Sequence, residues 1–131
     1  MPERIQLAEG QCLPEGAVFV DVPSKWASPI RITPEPGGRH VPVMYRVHGS
    51  PMNRNGGPAY ALIETARYFA VKFFEWDLRN KRYGEAYPSL DDIRRELAGR
   101  DLACGCALPE PRQPDLCHGQ VLMEIAAEVS C

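Results

Sequence analysis

Arg100-Asp101-Leu102-Ala103-Cys104-Gly105-Cys106, followed after a loop by Cys117-His118-Gly119-Gln120-Val121-Leu122-Met123-Glu124-Ile125-Ala126, is the stretch that decides the fold. Its first part is short, follows Gly99 and reads as a strand. In its second part Val121, Leu122, Ile125, Ala126 and Val129 recur at helical spacing, which predicts a terminal helix over Cys117 to Val129 with one buried stripe. Working upstream, Ser89-Leu90-Asp91-Asp92 has the form of a capping box with Asp in place of Glu. It opens a short helix that Gly99 ends as the C′ residue. Ala17 to Val22 is rich in β-branched and aromatic residues, follows Pro14-Glu15-Gly16 and stops at Pro23, so it reads as a strand inside the sheet. Arg4 to Leu7 reads as an edge strand. Strands interleaved with helices in this order predict an α/β fold, with a small parallel or mixed sheet flanked by helices.

Between these parts, prolines and glycines recur from Ser24 to Pro58, which predicts a long Pro/Gly-rich middle loop with only short regular pieces such as Val41 to Val47. A functional loop and a solvated insertion both fit residues 31–58. The next helix is marked by Ala59, Leu62, Ile63, Ala66, Phe69, Ala70 and Phe73 on one face, with Pro58 in its first turn. Tyr68, Phe69, Phe73, Phe74 and Trp76 have the form of a base-stacking platform, but aromatics at helical spacing read first as core.

The chain has 131 residues, enough for one domain spanning 1–131, with 44% hydrophobic and 24% charged residues as in ordinary globular proteins. A net charge of −2 is not the basic balance that non-specific duplex DNA binding requires. Met1 to Gly10 carries three charges and no apolar run, and no stretch approaches the ~20 apolar residues of a membrane span, so a cytoplasmic protein is expected. Five cysteines, an odd number without an export signal, fit a reducing compartment.

Three of those cysteines stand beside a histidine. In an extended strand residues i and i+2 share a face, so Cys104 and Cys106 can direct both sulfurs at one point. Pro109, Pro111 and Pro114 stiffen the returning loop and lower the entropy lost when Cys117 and His118 close on the same point. Soft thiolates with an imidazole are the zinc preference, so Cys104, Cys106, Cys117 and His118 are the candidate Zn²⁺ ligands, structural in the first instance because four donors close the shell. The spacing departs from the common pairs, being Cys-x-Cys and Cys-His. Buried free thiols, an oxidising pair and a catalytic cysteine stay open as alternatives. For the last, Cys117 at a helix start, beside His118, is placed to favour a thiolate.

Pro23-Ser24-Lys25-Trp26-Ala27-Ser28-Pro29 lies just beyond the carboxyl end of the Ala17–Val22 strand, where open α/β sheets bind ligands. Ser24 offers a hydroxyl, Lys25 a charge suited to phosphate, Trp26 a stacking face and Arg31 a bidentate fork. Asp21, with Lys25 near it, is a weak catalytic candidate as a general base. A proline-bounded loop with a packed tryptophan explains the same residues.

Val18-Phe19-Val20, Pro23-Ser24-Lys25-Trp26 and Pro29, then Glu96-Leu97, Gly99 to Cys104 and Cys106, then Cys117-His118-Gly119 and Val121-Leu122, together resemble domain-of-unknown-function family 4326, an uncharacterised family of small bacterial and bacteriophage proteins. The chain departs from that family's pattern at Asp21, Val22, Ala27, Ser28 and Gly105, and keeps Ser24-Lys25-Trp26 and all four candidate metal ligands. The resemblance implies an α/β fold and an accessory role in a bacterial or phage-infected cell, around nucleotides or DNA modification. It implies no established activity.

Three functions follow as expectations. The first is a zinc-binding protein that handles a nucleotide or nucleoside at Ser24, Lys25, Trp26 and Arg31. The second is a zinc-stapled protein-interaction module, favoured if Phe74 and Trp76 are exposed, since Phe73 and Phe74 cannot both face one core. The third is a thiol or metal hydrolase centred on Cys117 or an open zinc.

Overall fold

The computed structural model describes residues 3–7, 11–21, 24–51, 58–105 and 115–128. Cys106, Val129 and Cys131 fall outside these. Along the described residues the elements are β1 (Arg4–Gln6), β2 (Val18–Phe19), β3 (Arg31–Pro36), β4 (Val43–His48), β5 (Ala59–Tyr60), α1 (Ile63–Arg79), α2 (Leu90–Leu97), β6 (Leu102–Cys104) and α3 (His118–Ala127). The chain is a mixed α/β domain that divides into two compact units, Met1–Ala27 with Gly84–Cys131, and Ser28–Tyr83.

The first unit is built on a parallel sheet of order β1-β6-β2. Leu102, Ala103 and Cys104 are all buried, as expected of a parallel strand covered on both faces, and this places β6 at the centre. Arg4–Gln6 is an edge strand, as its sequence indicates. Val18–Phe19 is an edge too, not an interior strand, because its residues are only half-buried and β6 takes the middle. Pairing continues past the short strands through Leu7 N–H to the Cys104 carbonyl and Val20 N–H to the Ala103 carbonyl, each 2.9 Å.

α2 begins where the sequence places it. The Ser89 hydroxyl accepts the Asp92 N–H at 3.1 Å and the Asp92 carboxylate accepts the Ser89 N–H at 3.3 Å, closing the capping box. Gly99, at φ +73°, supplies the left-handed residue after the helix. α2 presents Ile93 and Leu97 to the core and α3 presents Val121, Leu122, Ile125 and Ala126, all buried. Burying side chains of this kind contributes roughly 1.5–3 kcal/mol each and supplies most of the hold between the two helices.

The second unit shows that the middle segment is not a loop throughout. β3, β4 and β5 form an antiparallel sheet in that order. β4 corresponds to the expected piece at Val41 to Val47, whereas β3 is hidden in the sequence by Pro34 and Pro36. Proline removes a ladder donor, and β3 tolerates two because it is an edge strand. Its turn needs glycine at Gly37, where a Cβ would come within 1.9 Å of the Val41 carbonyl oxygen. α1 starts at Ile63 rather than Pro58, because Ala59 and Tyr60 pair with Arg46 and Tyr45 of β4. Its buried residues are Ala66, Phe74, Asp77 and Leu78, while Leu62 is 62% exposed. Asp77 earns its burial through partners, accepting from the Ser50 hydroxyl at 2.7 Å and the Tyr83 hydroxyl at 3.0 Å. No helix among the described residues is long and apolar enough to cross a membrane.

The capping box gives a stability test. Ser89→Ala should cost about 1 kcal/mol, read from urea unfolding at pH 7. The hydrogen bonds from Ser89 hold the Asp92 carboxyl below the usual carboxylate range. Its contribution is therefore present above the ordinary Asp pKa and fades as the pH falls through the lowered one, so Asp92→Asn should flatten that part of the acid-unfolding curve.

Candidate metal centre

β6 delivers Cys104 to the carboxyl end of the central strand, fully buried. α3 begins at the same place. Its N-cap is Cys117, with extended φ −125° and ψ 140°, and the sulfur accepts the Gly119 N–H at 3.4 Å, the role a serine or aspartate oxygen usually takes. Cys117 is 2% exposed. His118, the first helical residue, directs Nε2 at the Val20 carbonyl, 2.6 Å away at the carboxyl end of the β2 segment.

That last contact sets the chemistry of the ring. A carbonyl only accepts, so Nε2 carries the hydrogen, and Nδ1 is the ring nitrogen left on the side of the Cys117 sulfur. An imidazole whose far nitrogen is fixed by a backbone carbonyl is the usual outer arrangement of a metal-bound histidine. The Cys104 and Cys117 sulfurs are 3.5 Å apart, and Cys117 Sγ lies 3.9 Å from His118 Nδ1. The ligand atoms of Cys104, Cys117 and His118 all lie within 4.8 Å of one another. A tetrahedral zinc with bonds of ~2.3 Å to sulfur and ~2.1 Å to nitrogen sets these edges at about 3.8 Å and 3.6 Å, so the group fits the ion after His118 moves in by about an ångström. Three of the four ligands expected from the sequence are thus brought together, while Cys106 lies outside the described residues.

Around this group stand residues that sequence reasoning undervalued. Asp21 accepts from the Cys104 thiol at 3.5 Å and from the Gly105 N–H at 3.2 Å, so the carboxylate read as a general base borders the cysteines. Arg4, with a side chain 2% exposed, pairs with Asp115, two residues before Cys117. A Cβ on Gly119 would sit 3.2 Å from the Arg4 Cδ and 3.6 Å from the Cys117 sulfur, so glycine leaves room for both. Arg4 and Asp115 are 111 residues apart, and only an arginine inside an otherwise unremarkable edge strand hinted at the pair.

The Ser-Lys-Trp turn is placed differently from a ligand cradle. The Ser24 hydroxyl accepts the Trp26 N–H at 3.1 Å and holds the turn. Trp26 is 4% exposed, and Lys25 Nζ lies 4.9 Å from its ring centre and 2.9 Å from Glu96 Oε1. The Tyr87 hydroxyl, its pKa pushed up by burial, donates to the Trp26 carbonyl. An open concavity of about 560 Å³ beside Lys25 is lined by Glu85, Tyr87, Ser89 and Asp92 among others. Arg31 belongs to the other unit, exposed at the first position of β3.

The Arg4–Asp115 pair anchors the chain just before Cys117 and yields a direct test. Asp115→Ala removes the carboxylate that faces a buried guanidinium and should cost about 3 kcal/mol in chemical denaturation, whereas Arg4→Met with Asp115→Leu should recover most of that loss. No curated protein and no solved structure matches the chain. The family model described as Domain of unknown function (DUF4326) matches residues 4–128, from Arg4 of β1 through the two cysteines and His118 to the residue after α3, and the chain belongs to that family.

Proposed function

We propose that this chain binds one zinc ion through Cys104, Cys117 and His118, with Cys106 as the fourth donor offered by the sequence, and that the ion staples β6 to the start of α3. The observation that carries this is the His118–Val20 bond at 2.6 Å, which leaves Nδ1 facing two buried sulfurs 3.5 Å apart. Two thiolates and an imidazole select zinc over magnesium or calcium, which prefer oxygen donors. The burial of both cysteines, 0% and 2% exposed, supports a structural ion rather than one that activates water for an incoming substrate. It also closes Cys117 to a bulky substrate, which weighs against a thiol hydrolase.

The wider role supported best is a zinc-stapled interaction module. Trp76 is 41% and Tyr68 45% exposed on α1, which favours a partner surface, although Phe74 is fully buried and only half of that expectation holds. A nucleotide or nucleoside ligand, and with it a phage or bacterial role in DNA modification, draws less support. Trp26 is buried, Lys25 is shared with Glu96, and the concavity beside it carries two carboxylates, Glu85 and Asp92, against one cation.

Elemental analysis with native mass spectrometry tests the metal. Protein purified without chelator should hold one zinc per chain, and Cys104→Ala, Cys117→Ala and His118→Ala should each lose it. Chelation should lower the melting temperature, since an ion at 1,000 times its Kd stabilises by about 4 kcal/mol. Folded wild-type protein that is metal-free and unmoved in melting temperature by zinc or chelator would overturn the reading.

A further inference from the structure

We infer that Cys104 and Cys117 are also an oxidation site, a dithiol that hydrogen peroxide converts to an intramolecular disulfide when no metal holds the sulfurs. The inference shares its residues with the zinc reading but rests on the separation of the sulfurs alone, which no metal is needed to produce.

The two sulfurs are 3.5 Å apart, in van der Waals contact, and neither cysteine is in a disulfide. A disulfide bond of ~2.05 Å requires them to close by about 1.5 Å. The partners sit on different segments, the end of β6 and the cap of α3, and are separated by 13 positions in sequence. Cys12, by contrast, is exposed.

The chemistry balances with peroxide as the oxidant. The Cys117 sulfur attacks one peroxide oxygen, the O–O bond breaks, and the departing hydroxide takes a proton to leave as water. Cys117 is then a sulfenic acid. The Cys104 sulfur attacks that sulfur, the S–S bond forms, the S–O bond breaks, and the hydroxyl leaves as a second water. Two thiols and one peroxide give one disulfide and two waters. Cys117 comes first because it is the less buried of the two, 2% against 0% exposed. A bound zinc would occupy the same lone pairs and block the attack, so metal and disulfide exclude each other.

The experiment treats the full chain, stripped with chelator, with hydrogen peroxide, and then alkylates and weighs it. The expected result is a monomer that has lost two alkylatable thiols and the mass of two hydrogen atoms. Trypsin should give a linked pair of peptides, 101–112 and 113–131, with fragment ions placing the bond between Cys104 and Cys117. Cys104→Ser should halt at a Cys117 sulfenic acid that dimedone traps, and Cys117→Ser should give no such adduct. Wild-type protein carries the test if either variant fails to fold. Retention of both thiols, or a bond through Cys106 or Cys131, would overturn the inference. A parallel sample given one equivalent of zinc separates the two readings. If zinc fails to bind while the Cys104–Cys117 bond forms, the staple falls and the oxidation site stands; if zinc binds but the stripped protein keeps both thiols, the reverse holds.

Discussion

The structure of the first unit depends on β6, a strand paired along both edges and buried on both faces. Such a strand must end somewhere dry, and everything at its carboxyl end has to satisfy its hydrogen bonds within the protein. The chain solves this by letting three segments meet there. Val20 and Asp21 follow β2, Cys104 ends β6 with Gly105 just after it, and Cys117 and His118 stand at the start of α3. Each brings a partner for another: His118 for the Val20 carbonyl, Asp21 for the Gly105 N–H, and Cys117 for the Cys104 sulfur. The carboxyl ends of parallel strands are where open α/β sheets gather ligands, so the donor cluster lies where the fold tends to build sites.

Cysteine is well suited to this position. A thiol is a weak donor and acceptor and is tolerated in a core, so Cys104 and Cys117 cost little to bury when protonated. A carboxylate or hydroxyl at the same depth would demand full hydrogen bonding. Charge is instead carried by the Arg4–Asp115 pair, where the aliphatic stem of Arg4 runs beside Gly119 and its guanidinium meets a carboxylate. This arrangement also explains glycine after the histidine, because any side chain there would compete with both Arg4 and the Cys117 sulfur for space.

Much of this was legible in the residues. The Ser89 capping box, the Gly99 stop, the α3 stripe and the Cys104–Cys117–His118 cluster rest on local signals, and local signals of spacing and turn chemistry survive into the fold. What was not legible is non-local. Nothing in Val18–Phe19 says that a later strand will take the centre of the sheet. Pro34 and Pro36 mask β3 because proline's effect depends on whether a strand is an edge, which is a property of its neighbours. The start of α1 moved for the same reason, since Ala59 and Tyr60 fit a helical pattern but are claimed by β4. In the Ser-Lys-Trp turn the residue types suited a ligand, and only burial distinguishes a stacking face from a packed indole.

The two units also explain how a long middle segment can sit inside the chain without unsettling the cluster. The first unit is made of residues before Ala27 and after Gly84, and it closes across the gap by itself: the Tyr87 hydroxyl holds the Trp26 carbonyl and Lys25 reaches Glu96. Once those ends are fixed, the entropy of the intervening loop grows only with the logarithm of its length, about 0.6 kcal/mol per doubling. The segment can therefore gain length and prolines at little cost to the rest. It also folds on its own terms, with its sheet and the buried Asp77 held by Ser50 and Tyr83 from within the same unit. Substitutions in β3 or α1 should then act on the second unit's stability first, because Val20, Asp21 and Gly119, which hold His118, Cys104 and Cys117, belong to the first unit.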